Sequence, residues 1–411
     1  MTDLPSDTLS ANGAEARAAS MGSLPIGTPR VAVVGAGQLA RMMQPPAVAL
    51  GIQLRVLATD SRECALQVIP DAVVVSEIDD SALARVCADA AVLTFEHEHV
   101  EAQWLEPIAA AGVAVRPGAA ALHLARDKVA LRTRLAELAV PQPRWAVVAD
   151  VAEATDFAAR VGWPVVLKPS RGGYDGRGVF IVESQAALVD VMSQSLREGA
   201  VWLAEEFVPF RREVAAQVAR SPHGQAVAYP LVRTLQHEGM CAEVVAPCPE
   251  SGEELASAAT HLALSIARDI EAVGMLAVEM YVVADAEGKE SVLVNEIALR
   301  PHNSGHWTID GAVTSQFENH LRAVLDLPLG DPAPLARYAV MVNVIGAEAD
   351  NLHHALLHCQ AREPQARIHI YGKDIRPGRK VGHVTIVGDS VEPLLERARH
   401  IAAYMRGDIH E

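Results

Sequence analysis

Four short apolar runs, separated by helical or turn-rich sequence, follow one another near the start of the chain. They are Arg30–Val34, Gln53–Leu57, Ala72–Val75 and Ala91–Phe95. Strands that are buried on both faces of a parallel sheet have this continuous apolar character, whereas half-exposed strands alternate between apolar and polar residues. The pattern therefore predicts an open, parallel α/β unit.

The rest of the 411-residue chain is too long to share one core with this unit. A predicted helix at Arg126–Ala139 leads through a proline-containing linker into strands at Val165–Lys168, Val179–Val182 and Val201–Val208, with a helix at Gln185–Leu196. Extended segments, a long helix, a hairpin and a strand-helix-strand-strand-helix tail follow. We expect a disordered extension (1–28), an N-terminal α/β domain (29–125), a lid with its linker helix (126–208) and a central and C-terminal domain (209–411).

The formal net charge of −16, from 35 basic and 51 acidic residues, argues against a nucleic-acid partner, because phosphate neutralisation requires a basic surface. The apolar runs are all shorter than the roughly 20 residues that span a bilayer, and the first 28 residues lack the apolar segment of a signal peptide. Five cysteines without CxxC spacing favour reduced thiols. We expect a cytoplasmic protein that acts on small molecules, without nucleic-acid or membrane partners.

The segment Gly35–Ala40 follows the first predicted strand and matches the GxGxxA pattern of dinucleotide-binding turns. Asp60 lies at the end of the next strand, where a ribose-binding carboxylate would be expected. Glycines are also needed simply for a tight turn from strand to helix. In either case the amides at the helix N-terminus suit an anion, and Gln38 and Arg41 could add donors.

Lys168 ends an apolar strand, and a glycine-rich loop at 172–178 begins four residues later. A buried charge without a partner is costly, so this lysine requires an anion nearby. Backbone amides of such a loop can approach triphosphate oxygens, although the sequence is not a Walker A motif. An ordinary surface loop is the alternative, but the pattern favours a nucleotide site.

Glu279 and Glu296 are predicted on the two strands of one hairpin, Met275–Val283 and Ser291–Ile297. Two carboxylates on adjacent strands can hold Mg²⁺ together, since this ion prefers carboxylates, phosphate oxygens and water. Asn295 supplies another oxygen. Apolar neighbours flank both acids, so we expect them to line a pocket.

Three other segments are rich in polar side chains. Arg300–Trp307 is interpreted as a recognition loop, and Arg376–His383, basic in an acidic protein, as a phosphate pocket or a solvated cluster of charge. Phe95–His99 contains two glutamates and two histidines, but alternate side chains of a strand face opposite ways. We therefore do not expect a transition-metal site there.

Taken together, these segments resemble the ATP-grasp superfamily, and within it the branch that carboxylates aminoimidazole ribonucleotide. The resemblance rests on GAGQLARM (Gly35–Met42), TFEHEHV (Thr94–Val100), GGYDGRG (Gly172–Gly178), NEIALRPHNSGHW (Asn295–Trp307) and RPGRKVGH (Arg376–His383). It covers nearly the whole chain except the N-terminal extension. It implies an N-terminal open parallel α/β domain followed by an ATP-grasp lid and a central antiparallel-sheet domain, and a homodimer.

The resemblance also implies a carbon–nitrogen ligase of purine biosynthesis that uses ATP, Mg²⁺ and bicarbonate. Bicarbonate would be phosphorylated to carboxyphosphate, and its CO₂ unit would be captured by the exocyclic amine of the ribonucleotide. This order is chemically reasonable, because bicarbonate is a poor electrophile until phosphate makes one oxygen a leaving group. Phosphoryl transfer itself requires mainly positioning and charge neutralisation.

The family's functional residues can be carried over by position. The residues implied for ATP are Lys128, Lys168, Gly173, Tyr174, Asp175, Gly176, Arg177, Gly178, Val179, Glu205, Glu206, Phe207, Val208, Glu213, Gln236, Asn295 and Glu296. Those implied for the ribonucleotide are Gly37, Gln38, Glu98, Arg300, His302, Asn303, Arg379 and Lys380. Magnesium would be held by Glu279 and Glu296. Catalytic roles are implied for Tyr174, Asp175, Arg177, Arg300, His302 and Asn303.

Two positions depart from the family pattern. Gln236 stands beside His237 where the family often has a histidine, so we expect no ATP contact from His237, and Ala40 replaces a common glycine. The alternatives are another ATP-grasp carboxylate ligase, such as a formate-dependent glycinamide ribonucleotide transformylase, an NAD-dependent oxidoreductase built on the first glycine turn, or a non-catalytic nucleotide sensor. The oxidoreductase would leave Lys168 and the glutamate pair without a role.

Overall fold

The computed structural model describes residues 27–172, 178–194, 201–346 and 351–410, apart from the side chain of Gln194. Within these residues the strands form three sheets of five, four and nine strands. In the same part of the chain, every helix falls short of the length and apolar character needed to cross a membrane.

The first sheet is parallel throughout, which confirms the predicted α/β unit. Its strands are β1 (Arg30–Val34), β2 (Gln53–Ala58), β3 (Ala72–Val74), β4 (Val92–Phe95) and β5 (Ala114–Val115), in the spatial order β3-β2-β1-β4-β5. The helices are α1 (Gln38–Ala49), α2 (Asp80–Val86), α3 (Ala102–Ala110) and α4 (Ala119–Arg126). Val31 and Val33 pack in a cluster with α1, whereas Ala32 and Val34 pack in one with α2 and α3. Both faces are therefore covered, which explains the continuous apolar run.

The second sheet forms the lid and is antiparallel. Its strands are β6 (Trp145–Val148), β7 (Val165–Pro169), β8 (Phe180–Val182) and β9 (Trp202–Glu206), in the order β6-β9-β7-β8. Helix α5 (Lys128–Glu137) precedes it, and α6 (Val151–Val161) and α7 (Gln185–Gln194) cover it. The helix predicted at Arg126–Ala139 spans only Lys128–Glu137 in the structure, because Asp127 caps α5 and separates it from α4.

The third sheet is antiparallel and holds nine strands. They are β10 (Arg212–Arg220), β11 (Ala226–Ala228), β12 (Val232–His237), β13 (Met240–Ala246), β14 (Gly274–Ala284), β15 (Glu290–Ala298), β16 (Tyr338–Ile345), β17 (Arg367–Ile370) and β18 (Lys380–Gly388). The order is β15-β14-β10-β12-β13-β16-β18-β17, and β11 pairs with β10. The helices are α8 (Glu253–Asp269), α9 (Thr308–Gly311), α10 (Gln316–Val324), α11 (Leu352–Arg362) and α12 (Val391–Arg406). The predicted hairpin and the predicted order of the tail are confirmed.

His320 of α10 joins the first and third sheets. Its Nδ1 accepts the backbone N–H of Met275 in β14 at 3.1 Å, so its Nε2 carries the proton that Thr94 Oγ1 of β4 accepts at 2.9 Å. Burial lowers the pKa of His320 to about 3. A neutral imidazole thus fixes the N-terminal sheet against the central sheet, and the cavity described next lies between them.

Candidate active site

One cavity of about 890 Å³ lies where the three sheets meet. Its walls come from the β1–α1 turn, the segment after β4, strands β7 and β9 of the lid, and strands β10, β14, β15 and β18. The predicted site residues that line it are Gln38, Glu98, Lys128, Lys168, Gly178, Val179, Glu205, Glu206, Phe207, Val208, Glu213, Gln236, Glu279, Asn295, Glu296, Arg300, His302, Asn303 and Lys380.

The remaining predicted site residues do not line this cavity in the described part of the chain. Gly173, Tyr174, Asp175, Gly176 and Arg177 lie outside the described residues, so their roles stay predictions. The Gly37 amide donates to Glu96, and Arg379 Nη1 donates to the Asp374 carbonyl at 3.3 Å.

Lys168 lies near the end of β7 and has the anionic partner that its burial requires. Its Nζ is 2.7 Å from Oε2 of Glu205 and donates to Oδ1 of Asn295 at 3.2 Å. Burial alone would raise the pKa of Glu205, but the charges of Lys168 and Arg132 outweigh it and lower this pKa to about 2. Glu205, predicted as an ATP contact, therefore uses its carboxylate to hold two cations.

Lys128 begins α5, directly after the capping residue Asp127. Ser170 Oγ and Arg171 Nε donate to the Asp127 carboxylate at 2.7 and 2.8 Å, which ties the end of the lid strand to the helix. Lys128 Nζ donates to the carbonyl of Gly172 at 2.8 Å, and burial lowers the pKa of this lysine. Two lysines thus face the cavity at the entrance to the glycine-rich loop.

Three carboxylates on one face of the central sheet line the opposite wall. Glu279 of β14 and Glu296 of β15 are direct cross-strand partners, and Glu213 comes from the neighbouring strand β10. Burial raises the pKa of Glu279 well above its usual range, and the charges of Glu296 and Glu213 raise it further. Burial and Glu296 raise the pKa of Glu213 to about 7. The adjacent pair Glu279 and Glu296 would suit a divalent cation that takes its remaining ligands from phosphate and water.

His302 and Arg300 connect this acidic wall to the N-terminal sheet. His302 Nε2 is 3.3 Å from Oε1 of Glu279, and its Nδ1 is 2.9 Å from Ser304 Oγ. Burial, helped by the charge of Arg300, lowers the pKa of His302 to about 3, so the ring is a neutral donor. Arg300 Nε donates to Oε2 of Glu98 at 3.1 Å, which confirms that the polar loop is a structured part of the cavity.

The wall beyond β9 is flat and aromatic. Phe207, 40% exposed, follows the strand, and the ring of Phe210 stacks on Tyr281 with centroids 4.7 Å apart. A planar base gains contact area against such a surface. Gln236 lines the cavity at a bulge in β12, whereas the neighbouring His237 is exposed and does not line it.

A basic corner lies between the first helix and the C-terminal strands. Lys380 begins β18 and lines the cavity, and Lys373 Nζ donates to the side-chain oxygen of Gln38 at the start of α1. Gln67 Nε2 donates to the carbonyl of Gly372 at 2.7 Å and holds this corner to the N-terminal domain. These two lysines, with the side chain of Gln38 beside them, suit a phosphate group.

The glycine turn at 35–40 is already occupied by the protein itself. Glu96 accepts the backbone N–H of Gly37, and it accepts that of Ala40 at 2.9 Å. A Cβ added to Gly37 would lie 2.7 Å from Glu96 Oε1, and Gly35 has φ +102°, which favours glycine. Asp60 pairs with Arg62 at 2.7 Å. The glycines therefore leave room for the carboxylate of Glu96, which occupies the place of a ligand phosphate. This removes the main support for the dinucleotide alternative.

The expectation that Phe95–His99 continues a strand is wrong. Strand β4 ends at Phe95, and Glu96, His97, Glu98 and His99 all line the cavity, because the alternation of a strand no longer applies to them. Even so, among the described residues no group of three or more His, Cys, Asp or Glu has the arrangement of a metal site. Glu96 is bound to amides and Glu98 to Arg300, which accounts for two of the four side chains.

Sequence reasoning missed three residues of this region. Lys373 lies three positions before the basic turn, so extending that motif would have found it. Arg132 lies four residues after Lys128 on the predicted helix, and this spacing places both on one face. Tyr281 follows Glu279 by two in a strand, which also places both on one face.

The chain matches three protein families in succession. Residues 29–126 match the ribonucleotide synthetase preATP-grasp domain, and residues 133–317 match the ATP-grasp domain. Residues 339–397 match the phosphoribosylaminoimidazole carboxylase C-terminal domain.

Individual relatives match over most of the chain. An N5-carboxyaminoimidazole ribonucleotide synthase of Mycobacterium bovis is 50% identical over 380 residues, covering 92% of this chain and 88% of the relative. The structure of such a synthetase from Thermus thermophilus has 35% identity and a TM-score of 0.80, covering 93% of this chain and 99% of that one. The Aspergillus clavatus synthase in complex with ADP and 5-aminoimidazole ribonucleotide has 29% identity and a TM-score of 0.83, with coverage of 93% and 99%.

Proposed function

The chain belongs to the N5-carboxyaminoimidazole ribonucleotide synthases, a family of ATP-grasp ligases, and from this premise we propose how its residues divide the reaction. The enzyme carboxylates aminoimidazole ribonucleotide at the expense of ATP in purine biosynthesis. The observation that carries the assignment of roles is the cavity at which the lid lysines, the glutamate pair and the basic corner converge.

ATP lies between the lid and the central sheet in this proposal. The adenine packs by the aromatic wall of Phe207, and Glu213, which lines the same cavity, faces the ribose hydroxyls. Lys128 and Lys168 contact the phosphates, and the role predicted for the loop at 173–179 rests on the family resemblance, since most of this loop lies outside the described residues. The complex of a related synthase with ATP supports nucleotide binding at this fold.

Glu279 and Glu296 fit a magnesium ion, because these directly adjacent carboxylates, one half-buried and one exposed, repel each other without a cation. When bound, magnesium neutralises phosphate charge and orients the triphosphate. His302 keeps Glu279 in place by donating from Nε2, and Asn295, held by Lys168, keeps the strand end in register with the lid.

The chemical step needs a positioned bicarbonate. A bicarbonate oxygen attacks the γ-phosphorus of ATP and ADP leaves, which gives carboxyphosphate. The exocyclic amine of the ribonucleotide then takes the CO₂ unit, so that an N–C bond forms, the C–O bond to phosphate breaks and the amine loses a proton. Arg300, His302 and Asn303 lie between the glutamate pair and the N-terminal domain, where both reactants meet.

The ribonucleotide occupies the N-terminal side of the cavity in this proposal. Its 5′-phosphate is held by the basic corner of Lys373 and Lys380 with the side chain of Gln38, and Arg379, which precedes Lys380, adds the role predicted for it. Glu98 faces the aminoimidazole ring and is kept ionised by Arg300, since burial would otherwise raise its pKa. The roles predicted for Tyr174, Asp175 and Arg177 in the lid loop complete this arrangement.

A cytoplasmic, homodimeric enzyme is part of the same proposal. The five cysteines, all among the described residues, are buried and form no disulfide, which fits a reducing compartment. The homodimer is what the family resemblance implies.

Production of ADP, measured with a coupled assay, tests the function. With Mg²⁺ present, we expect turnover only when bicarbonate and aminoimidazole ribonucleotide are both supplied. Omission of each component in turn is the control. Turnover that requires formate and glycinamide ribonucleotide instead would overturn the assignment in favour of a transformylase.

A further inference from the structure

Arg132 of α5 is a buried cation that the sequence motifs do not include. Its side chain is only 2% exposed, and its Nε donates to Oε1 of Glu205 at 2.6 Å. Its Nη1 and Nη2 donate to the carbonyls of Val294 and Asn295, each at 2.8 Å. One guanidinium thus contacts the lid strand β9 and the strand β15 that carries Glu296.

The carboxylate of Glu205 is shared between two cations. Arg132 lies on Oε1 and Lys168 on Oε2, and the exposed fractions of Arg132, Glu205 and Lys168 are 2%, 3% and 10%. An arginine stays protonated throughout the physiological range. Two positive charges against one negative charge leave the buried group with a net charge of +1.

We propose that Arg132 is a positioning residue that neutralises Glu205 and so keeps the positive charge of Lys168 available to the nucleotide phosphates. This inference rests on the proposed role of Lys168 in ATP binding. Lys168 lines the cavity, whereas Arg132 does not line it and lies behind Glu205 and Asn295. Its effect on the nucleotide therefore passes through Glu205 and Lys168.

Removal of Arg132 would change the balance of charge. Glu205 would be matched by Lys168 alone, and the buried pair would be neutral. The vacated oxygen Oε1 would compete with phosphate for the ammonium hydrogens of Lys168. In a low-dielectric site this loss weakens an anionic ligand far more than it would in water.

A purely structural role for Arg132 has a different signature. The guanidinium also satisfies two carbonyls beside Glu296, so its removal leaves those oxygens unpaired whatever the charge of Glu205. Such damage lowers stability and cannot be repaired by changing Glu205. A double-mutant cycle separates the two roles.

The test measures the dissociation constant of ADP by calorimetry, with the melting temperature of each variant alongside. We expect Arg132→Met to weaken ADP roughly thirtyfold, as for truncation of a buried charged partner. Arg132→Met combined with Glu205→Gln restores the net charge of +1 and should bring ADP affinity back to within about threefold of wild type. Glu205→Gln alone completes the cycle, so that the coupling energy between Arg132 and Glu205 can be separated from the effect of each single change.

Two further variants protect the test from a folding artefact. Arg132→Lys keeps the charge but loses the planar guanidinium that donates to two carbonyls. We therefore expect near-normal ADP affinity with a lower melting temperature. Arg134→Met is the matched control, since Arg134 is on the same helix, 37% exposed, and contacts Glu137 and the Asp269 carbonyl instead. We expect its ADP affinity to be unchanged.

The outcomes distinguish this inference from the proposed function. If Lys168→Ala leaves ADP binding unchanged, the nucleotide role of Lys168 is wrong. If Lys168→Ala weakens ADP but Arg132→Met does not, or if Glu205→Gln fails to rescue Arg132→Met, only the role of Arg132 is overturned. Rescue of ADP affinity without rescue of the melting temperature would support the proposal.

Discussion

Two strands of the molecule end at a group of hydrogen-bond donors, and the protein uses the two groups in opposite ways. After β1, the amides of the glycine turn are bound by the buried carboxylate of Glu96. At the end of β7, Lys168 shares Glu205 with Arg132, so positive charge remains in excess. The first group is satisfied internally, and the second is the one that we propose binds an external anion.

The difference shows what a glycine motif does and does not indicate. GxGxxA predicted the tight turn and the helix start correctly, but these features depend on backbone geometry alone. Whether a ligand binds there depends on charge, and the charge comes from Glu96, which is 59 residues beyond Gly37. The balance of buried charges is therefore the better guide to an anion site than the loop sequence.

Replacing Glu296 tests the nucleotide side most severely. Glu296→Gln removes one of two adjacent carboxylates that fit magnesium, so we expect ADP production to fall roughly 100-fold or more, as when one stabilising group is lost from a phosphoryl or acyl transition state. The coupled assay measures this loss. Glu287→Gln, in the exposed turn between the same two strands, should be silent. Normal turnover in Glu296→Gln would contradict the metal assignment.

Gly37→Ala tests the glycine side of the comparison. The added Cβ would lie 2.7 Å from Glu96 Oε1, so we expect the free energy of unfolding to fall by about 2 kcal/mol, as for other overpacked sites. In a Glu96→Ala background the same change should have little effect, because the obstructing carboxylate is gone. Urea denaturation of the four proteins measures both values. An equal loss in both backgrounds would mean that the glycine serves something other than Glu96.

A lower pH should reduce the free energy of unfolding through His320, and we expect this effect to be smaller than those above. The pKa of His320 falls from 6.5 to about 3 on burial, so the unfolded chain binds the extra proton first. The free energy of unfolding contributed by this neutral ring is complete above pH 6.5 and decreases as pH falls toward 3, by about 1.4 kcal/mol per pH unit. Glu205, with a pKa of about 2, stays ionised over this range.

Urea denaturation at pH 7 and pH 5 measures this dependence, and His302, with a similarly lowered pKa, adds to it. His320→Gln keeps both hydrogen bonds without a titrating group and should reduce the pH dependence by the share of one histidine. An unchanged pH dependence in His320→Gln would show that His320 is not neutral in the folded protein.

Lys380→Ala should give the smallest effect, confined to one substrate. We expect the Michaelis constant for the ribonucleotide to rise about fivefold, as for a partly exposed charge pair, while that for ATP stays constant. Steady-state kinetics with each substrate varied in turn measure the two constants. Lys289→Ala, 73% exposed in the hairpin turn, is the control. An equal rise for both substrates would count against a 5′-phosphate role.

Local sequence patterns were sufficient to predict the helices and strands and part of the candidate active site. The parallel strands, the hairpin and the tail follow from apolar runs and turn residues, and the Glu279–Glu296 pairing follows from a hairpin that fixes its own register. The acidic wall was therefore predictable from neighbouring sequence.

Contacts between distant segments were not predictable in this way. Glu205 is 73 residues from Arg132, and no periodicity connects them. The alternation of a strand was applied to Glu96 within Phe95–His99, but β4 ends at Phe95 and the Glu96 side chain turns back to the glycine loop. Lys373 acquires its place only from the contact with Gln38.

The contact between Lys373 and Gln38 joins positions that are 335 residues apart. A nascent polypeptide still attached to the ribosome cannot make it until its final strands have emerged. Premature termination before Lys373 would therefore leave a product without this contact and without the phosphate site that we propose there.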